Sequence, residues 1–150
     1  MIAYVTLLAD TAGMAIDMNR VNPLTEAAIG AAIKVHRALG PGLLESVYTG
    51  CLLFERQRSG LKVRGNVSLP VQYEDVQINL GYRLDIVVDD CVVLELKSVT
   101  KFANIHTAQV LTYLKLSGYP VGLLINFNVT LLKSGVKRLI NPNPAKKFAV

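Results

Sequence analysis

Residues 81–97 read GYRLDIVVDDCVVLELK, and this stretch decides the fold of the 150-residue chain. Two apolar, largely β-branched runs are joined by Asp89-Asp90-Cys91, a pattern that indicates an antiparallel hairpin. Three charges interrupt runs that otherwise suit buried strands: Asp85, Glu95 and Lys97. Because a buried charge is costly unless it is paired or binds a metal, these three residues are the first candidates for a functional site.

The alternation of apolar residues predicts the register of this hairpin. Ile86 should face Leu94, and Asp85 should face Glu95, when the apolar residues share one face of both strands. That face would carry Leu84, Ile86, Val88, Val92, Leu94 and Leu96. The pairing requires a loop with an odd number of residues, which Asp89-Asp90-Cys91 supplies. Lys97 then lies on the same face as Glu95, about 6.6–6.8 Å further along the strand.

Two carboxylates and an ammonium group on one side of a hairpin admit two interpretations. Two facing carboxylates make a hard oxygen site suited to Mg²⁺ or Mn²⁺, and a nearby lysine can orient a water or bind a phosphate. The alternative is a salt bridge on the solvated face of an edge strand, which is the commoner meaning of an arbitrary D…ExK pattern. The rest of the sequence has to decide between them.

Composition limits the class of protein. An apolar content of 51% in 150 residues predicts one soluble domain with a sizeable core. A net charge of +5 permits a polyanionic partner without requiring one. Cys51 and Cys91 form no CxxC pair, which favours free thiols in a reducing cytoplasm. No apolar run approaches the roughly 18 residues of a membrane span, so no membrane association is predicted.

The first predicted helix begins at Asn22-Pro23, an N-cap followed by proline at the first helical position, and runs to about Leu39. Its inward stripe should contain Ile29, Ile33, His36 and Leu39. We interpret His36 as a packed or hydrogen-bonded histidine, since no nucleophile pattern accompanies it that would suggest a catalytic role.

Gly40-Pro41-Gly42 ends this helix, and a second helix should run from Leu43 to about Ser59. Its core stripe is predicted to contain Leu44, Val47, Cys51 and Phe54. Glu45 and Tyr48 lie three residues apart on a neighbouring stripe, so both side chains should project from the same edge. A first-turn glutamate is also favourable with the helix dipole, which would account for Glu45 alone.

Beyond residue 60 the pattern becomes β-like. Residues 61–78 predict a strand and a hairpin that turns at Glu74-Asp75, leading into the central hairpin. Asn104 can cap a helix over residues 105–117, on which His106, Gln109 and Tyr113 form a polar stripe. Such a stripe is usually solvated, but here it follows the charged strand directly and could cover the same site. Two further strands are predicted over residues 121–127 and 136–140.

The chain therefore divides into three parts. Residues 1–20 are expected to be an N-terminal extension, residues 21–141 the folded domain and residues 142–150 a C-terminal tail. Residues 2–9 could instead add a peripheral strand, and Met14 or Met18 could be the natural start. The element order of the domain predicts an α/β fold with a mixed sheet flanked by helices.

Taken together, these motifs resemble the GxxExxY proteins, small bacterial and archaeal domains of the PD-(D/E)XK nuclease superfamily. The name motif is present as GLLESVY at residues 42–48. The resemblance extends over about residues 22–141 and includes four further blocks in order, at residues 81–85, 93–97, 105–115 and 122–128. It implies a restriction-endonuclease-like core with the order α-β-β-β-α-β.

The resemblance also implies roles for individual residues. Asp85 and Glu95 would bind Mg²⁺ or Mn²⁺, with the backbone carbonyl of Leu96 as a further ligand and Lys97 positioning the attacking water. Glu45 would complete or support the metal site as the acid of the first core helix. The remaining residues would contact the substrate: Gln109 and Tyr113, which match a QxxxY element, together with Tyr48 and His106.

The function expected from these residues is a metal-dependent nuclease that hydrolyses phosphodiester bonds, with DNA as partner and the cytoplasm as location. The alternative is a non-catalytic domain that binds nucleic acid or protein and retains the nuclease fold. A glycoside hydrolase would also use paired carboxylates, but the chain has no tryptophan and little sign of a sugar cleft. Since so small a nuclease has little surface for binding DNA, a homodimer is one expected arrangement.

Overall fold

The structure, a computed structural model, describes residues 16–144. Most of the predicted extension, residues 1–15, and most of the predicted tail, residues 145–150, lie outside this range. The elements are α1 (Met18–Leu39), α2 (Glu45–Arg58), β1 (Val63–Tyr73), β2 (Val76–Val88), β3 (Val92–Lys97), α3 (Asn104–Ser117), β4 (Val121–Asn126) and β5 (Val136–Ile140), with a short 3₁₀ helix (Leu132–Gly135) before β5. The predicted element order is confirmed.

The five strands form one sheet in the order β1-β2-β3-β4-β5. β3 and β4 are parallel and α3 connects them, whereas the other neighbouring strands are antiparallel. One apolar cluster joins α1 and α2 to one side of the sheet, and a second joins α3 to the other side. The predicted α/β fold with a mixed sheet flanked by helices is confirmed.

The β2–β3 hairpin has the predicted register. Ile86 pairs with Leu94, and the loop consists of Asp89, Asp90 and Cys91. Asp89 and Asp90 both have positive φ angles, of 51° and 48°, which aspartate tolerates better than most residues. The Arg20 guanidinium on α1 donates to the Asp89 carbonyl oxygen at 3.0 Å and so ties the loop to the first helix.

One detail of the predicted alternation is wrong. Leu84 packs in the cluster beneath α3, whereas Ile86 and Val88 pack on the side of α1 and α2. Pairing between β2 and β3 covers only residues 86–88 on β2, so the change of side occurs where β2 separates from β3. Asp85 is the residue at that point.

α1 begins at Met18, where the Asp17 carboxylate accepts a hydrogen bond from Asn19 N–H, and Pro23 lies inside the helix. The predicted helix start at Asn22-Pro23 is therefore wrong, and the boundary of the N-terminal extension at residue 20 stays a prediction. The buried stripe includes alanines and polar residues, so the spacing of large apolar side chains alone does not predict it. Its members are Val21, Leu24, Thr25, Ala28, Ala32, Val35 and His36. His36 Nε2 lies 2.8 Å from the Val129 carbonyl oxygen, as predicted for a hydrogen-bonded histidine.

The predicted core stripe of α2 is also wrong. Leu44 is 73% exposed, and Val47 and Phe54 are exposed as well. The buried stripe contains Tyr48, Leu52 and Arg56, with the Arg56 guanidinium donating to the Ala27 carbonyl oxygen at 3.2 Å. Because Arg56 is charged, the hydrophobicity of the sequence does not indicate this buried stripe. The Tyr48 ring stacks on Phe127 with a centroid distance of 4.2 Å, which fixes the rotation of the helix.

β1 and β2 form a long hairpin that turns at Glu74-Asp75, as predicted. The pairing shifts register between Leu69 and Val71, on either side of Pro70, which has no N–H to donate. Gly81 lies opposite this irregularity, and a Cβ atom there would overlap the Leu69 carbonyl oxygen. Only glycine permits so close an approach of the two backbones.

We therefore expect Gly81→Ala to lower the free energy of unfolding by about 1–3 kcal/mol, as overpacking does. Gly50→Ala is the matched control, because Gly50 lies in α2 with nothing within 4 Å of an added Cβ. It should raise the free energy of unfolding by roughly 0.4–1 kcal/mol. Urea unfolding followed by circular dichroism measures both; equal shifts in the two variants would contradict the close approach.

Candidate active site

The candidate site lies at the carboxyl-terminal end of the parallel strands β3 and β4. Lys97 is the last residue of β3, and Glu95 precedes it by two positions. Because Leu94 and Leu96 face α1 and α2, the alternation of the strand turns Glu95 and Lys97 towards α3. Glu95 is only 6% exposed, and Lys97 Nζ lies 3.6 Å from its Oε1 atom.

Asp85 joins this pair from β2. Its Oδ2 atom accepts a hydrogen bond of 2.8 Å from the Leu96 backbone N–H. The Asp85 side chain thus binds β3 next to Ile86, where the backbone pairing between β2 and β3 ends. The structure therefore brings together the three charges that the sequence places in the hairpin.

Too little positive charge lies near Asp85 and Glu95 to offset the burial of these two acids. Burial, followed by the charge of Asp85, raises the pKa of Glu95 to about 8, and Lys97 offsets this only in part. Burial also raises the pKa of Asp85, against the Leu96 N–H and Lys97, which lower it. Glu95 Oε2 is buried and accepts no hydrogen bond from a donor among the described residues, whereas the Glu95 carboxyl, when protonated, can hydrogen-bond to the Asp85 carboxylate. An unpartnered buried carboxylate oxygen of this kind needs either a proton or a cation.

Glu45 approaches the site from the start of α2. It is exposed, and its Oε1 atom accepts a hydrogen bond of 3.2 Å from Ser98 N–H, directly after Lys97. Ser98 Oγ in turn donates to the Leu43 carbonyl oxygen at 2.9 Å. The charge of Glu45 contributes to the raised pKa of both Asp85 and Glu95, so it acts on the site from the rim. An open cleft of about 550 Å³ adjoins it.

α3 covers the other side of the site. Burial and the charges of Glu95, Tyr82 and Asp85 raise the pKa of the Tyr113 phenol to about 12. Gln109 lies one turn earlier on the helix, and its Oε1 atom is buried without a hydrogen-bond partner. These two residues of the predicted polar stripe therefore face inward, one of them close enough to the carboxylates to respond to their charge.

A family model of the PD-(D/E)XK nuclease superfamily matches residues 22–139 of the chain. The chain belongs to the PD-(D/E)XK nuclease superfamily. No curated protein and no solved structure gives a significant match. Among residues 16–144, no helix has the length and apolar character needed to cross a bilayer. The GxxExxY assignment, the homodimer and the cytoplasmic location stay predictions.

PD-(D/E)XK nucleases typically use divalent metals, so the fit of this site to such an ion matters. Within the described part of the chain, no three His, Cys, Asp or Glu side chains are grouped to hold a metal. Mg²⁺, however, usually keeps several waters and takes only one or two carboxylates, with substrate phosphate completing its shell. Asp85 and the unpartnered oxygen of Glu95 fit that requirement. The Leu96 carbonyl as a further ligand stays a prediction.

Of the other two predicted substrate contacts, Tyr48 is inaccessible, whereas a contact by His106, one turn before Gln109 on α3, stays a prediction. Tyr48 is fully buried, its hydroxyl donates to the Gly40 carbonyl oxygen, and it accepts from Leu43 N–H at 3.2 Å. It shapes the loop before α2 and is not accessible to a substrate, so its prediction as a substrate contact is corrected. His106 Nδ1 accepts from Ala103 N–H at 3.1 Å, which places this ring at the start of α3 as a helix cap.

Sequence reasoning missed one residue that positions the site. Asn126 is buried at the end of β4, where its Oδ1 atom accepts from Val99 N–H at 3.1 Å and its Nδ2 atom donates to the Val99 carbonyl oxygen at 2.8 Å. Phe127 N–H also donates to the Lys97 carbonyl oxygen at 2.9 Å. These bonds fix the chain directly after β3. An amide at the end of an otherwise apolar strand was the available signal.

In metal-free buffer, we expect the free energy of unfolding of the wild type to fall relative to that of Glu95→Gln as the pH rises. The fall should occur between the ordinary pKa of Glu95, 4.5, and its pKa in the folded protein, about 8. The pKa of Glu95 is about 8 in the folded protein against its ordinary 4.5, so the folded state binds the proton more tightly than the unfolded state. Stability is therefore lost as that proton leaves. The Asp85 shift has the same sign.

Urea unfolding of both proteins at intervals of pH measures this difference. It should level off below the unfolded pKa and above the folded one. Mg²⁺ added at the alkaline end should raise the melting temperature of the wild type more than that of the variant, because a ligand that binds only the folded state stabilises it. A difference that does not change with pH would show that Glu95 is not a buried, uncompensated acid.

Proposed function

We propose that this protein is a metal-dependent nuclease that hydrolyses phosphodiester bonds in DNA with Mg²⁺ or Mn²⁺. The observation that supports it most directly is the meeting of Asp85, Glu95 and Lys97, in which a buried Glu95 oxygen has no partner. An edge-strand salt bridge, the competing interpretation of these charges, would be solvated. Here Glu95 is 6% exposed, which favours a functional site.

Each residue then has a distinct task. A bound divalent cation would polarise the phosphate and lower the pKa of a water. Asp85 and Glu95 would hold it, and the bond from Leu96 N–H keeps Asp85 in place beforehand. Lys97, in contact with Glu95, would orient the attacking water and stabilise the negative charge that develops on the phosphate. Preorganised charges of this kind need little rearrangement during the reaction.

Cations around the site support a polyanionic substrate. Arg83 lies two residues before Asp85 and is exposed. Lys101 is exposed in the loop after β3, and Lys133 is exposed just beyond the end of β4. Lys101 follows the end of β3, and Lys133 lies at the same end of the sheet because Val136 at the start of β5 pairs with Ile125 near the end of β4. The Arg83 guanidinium donates to the Asn66 carbonyl oxygen on β1 at 3.3 Å. Such a distribution attracts phosphate backbones.

A domain that binds nucleic acid without turnover is the second candidate. It is favoured by one observation, that no three metal-ligating side chains are grouped among residues 16–144. It predicts DNA binding that requires no metal and survives Asp85→Asn. If the protein is a nuclease, cleavage requires both the metal and the Asp85 carboxylate.

The direct test is cleavage of labelled single-stranded and duplex DNA, and of RNA of the same sequence, in Mg²⁺ or Mn²⁺. Asp85→Asn, Glu95→Gln and Lys97→Ala should each lower the cleavage rate at least about 100-fold, since each removes a group that acts on the reacting phosphate. Glu74→Gln is the matched control, because Glu74 is an exposed acid in the β1–β2 turn.

The control should retain activity within about twofold and should melt at the wild-type temperature, because it removes only a solvated charge. Chelation with EDTA should abolish cleavage by the wild type. Equal activity of the wild type, Glu95→Gln and Lys97→Ala would refute the assignment of the site. Cleavage of RNA alone would retain the enzyme and correct its substrate.

A further inference from the structure

An exposed tyrosine on the strand that carries Asp85 lies against the ring of Tyr113. Tyr82 is 48% exposed and precedes Asp85 by three residues on β2. Its ring lies 5.2 Å from that of Tyr113, at an interplanar angle of 48°. Tyr113 is nearly buried and responds to the charges of Glu95 and Asp85. The Tyr82 ring is therefore open to solvent, and it contacts Tyr113, whose pKa responds to the two carboxylates of the candidate site.

The strand that carries Tyr82 is paired on one edge only at this point. β2 pairs with β1 along nearly its whole length but pairs with β3 only over residues 86–88. Between Tyr82 and Asp85, the edge of β2 that faces β3 is therefore not in a ladder. A strand of nucleic acid that followed this edge towards Asp85 would pass the Tyr82 ring first.

The exposed ring of Tyr82 suits an unpaired base. An aromatic face binds any nucleobase by stacking, which needs the base to be out of a duplex. The next residue, Arg83, faces the other side of β2 and donates to the Asn66 carbonyl oxygen on β1 at 3.3 Å, so the ring itself is the recognition element. A duplex keeps its bases stacked on one another and offers no face to such a ring. The arrangement therefore favours single strands, frayed ends or flaps.

We propose that Tyr82 is a substrate-binding residue that stacks on an unpaired nucleobase beside the scissile phosphate, so that single-stranded DNA is the preferred substrate. This inference rests on the nuclease function proposed above, and it names the substrate class of that site. Tyr113 supports the Tyr82 ring from behind, and its own nearly buried ring is not the stacking surface.

Binding of an oligonucleotide that carries 2-aminopurine, measured in EDTA so that no cleavage occurs, tests the stacking directly. Tyr82→Ala should weaken binding of the single strand roughly 5- to 150-fold, the effect of losing one base–aromatic stack, and should abolish the quenching of the probe. Tyr82→Phe, which keeps the ring, should bind within about twofold of the wild type. Duplex of the same sequence should bind all three proteins alike.

Tyr73→Ala is the matched control. Tyr73 is a 66% exposed tyrosine of the same hairpin, but it pairs with Val76 at the turn, about 20 Å along the strand from Tyr82. This variant should bind the single strand like the wild type. In Mg²⁺, Tyr82→Ala should raise KM for single-stranded DNA and leave kcat near the wild-type value.

The outcomes separate the two proposals. Binding that is lost in Tyr82→Ala and kept in Tyr82→Phe and Tyr73→Ala supports the stacking role. If none of these proteins cleaves DNA, that result refutes only the nuclease function. Cleavage by the wild type with no difference between Tyr82→Ala and Tyr73→Ala would overturn the stacking role and leave the nuclease function intact. A wild type that binds duplex better than the single strand would also overturn it.

Discussion

The hydrogen bond from Leu96 N–H to the Asp85 carboxylate is the interaction on which the site depends. In an ordinary hairpin, the backbone of β2 would continue to pair with β3 at this point. Here a side chain occupies the position instead, and the ladder stops at Ile86. Two consequences follow from one contact. The acid from β2 is fixed beside Glu95, and β2 is free to diverge and expose its edge next to α3.

This arrangement carries a cost in stability that function explains. Glu95 lies between fully buried leucines, and its pKa of about 8 means that burial and the charge of Asp85 disfavour its charged form. Lys97 is near but offsets the burial only in part. A protein selected for stability alone would place an apolar residue or a complete ion pair there. A site that binds a cation needs the unsatisfied carboxylate, because complete internal pairing would leave nothing for the metal.

The sequence was sufficient for the architecture and for the charged centre. Alternation in the apolar runs, together with a three-residue loop, determined the register of β2 and β3, because a slip by one residue would have exposed the whole apolar face. That register placed Asp85 and Glu95 side by side. The helix after β3 was predicted from its length and the glycine that follows it, although its N-cap is Ala103 and not the predicted Asn104.

The rest could not be read from one sequence, for physical reasons. α2 is apolar on more than one face, and its buried stripe includes Arg56, so hydrophobicity alone selected the wrong stripe. Tyr48 shares a helix with Glu45 yet points into the core, because stacking on Phe127 depends on a residue far along the chain. The ladder between β2 and β3 ends at Asp85 because a side chain there replaces a backbone partner. Such a substitution leaves no periodic signal.

Diffraction from crystals soaked in Mn²⁺, with data collected at the manganese edge, tests the central claim most directly. We expect an anomalous peak between the carboxylates of Asp85 and Glu95, within the roughly 2.0–2.3 Å of oxygen ligands that such ions require. The same peak should be missing from soaked crystals of Glu95→Gln. Acids that turn away from each other, or a manganese ion bound elsewhere with none at this pair, would contradict it.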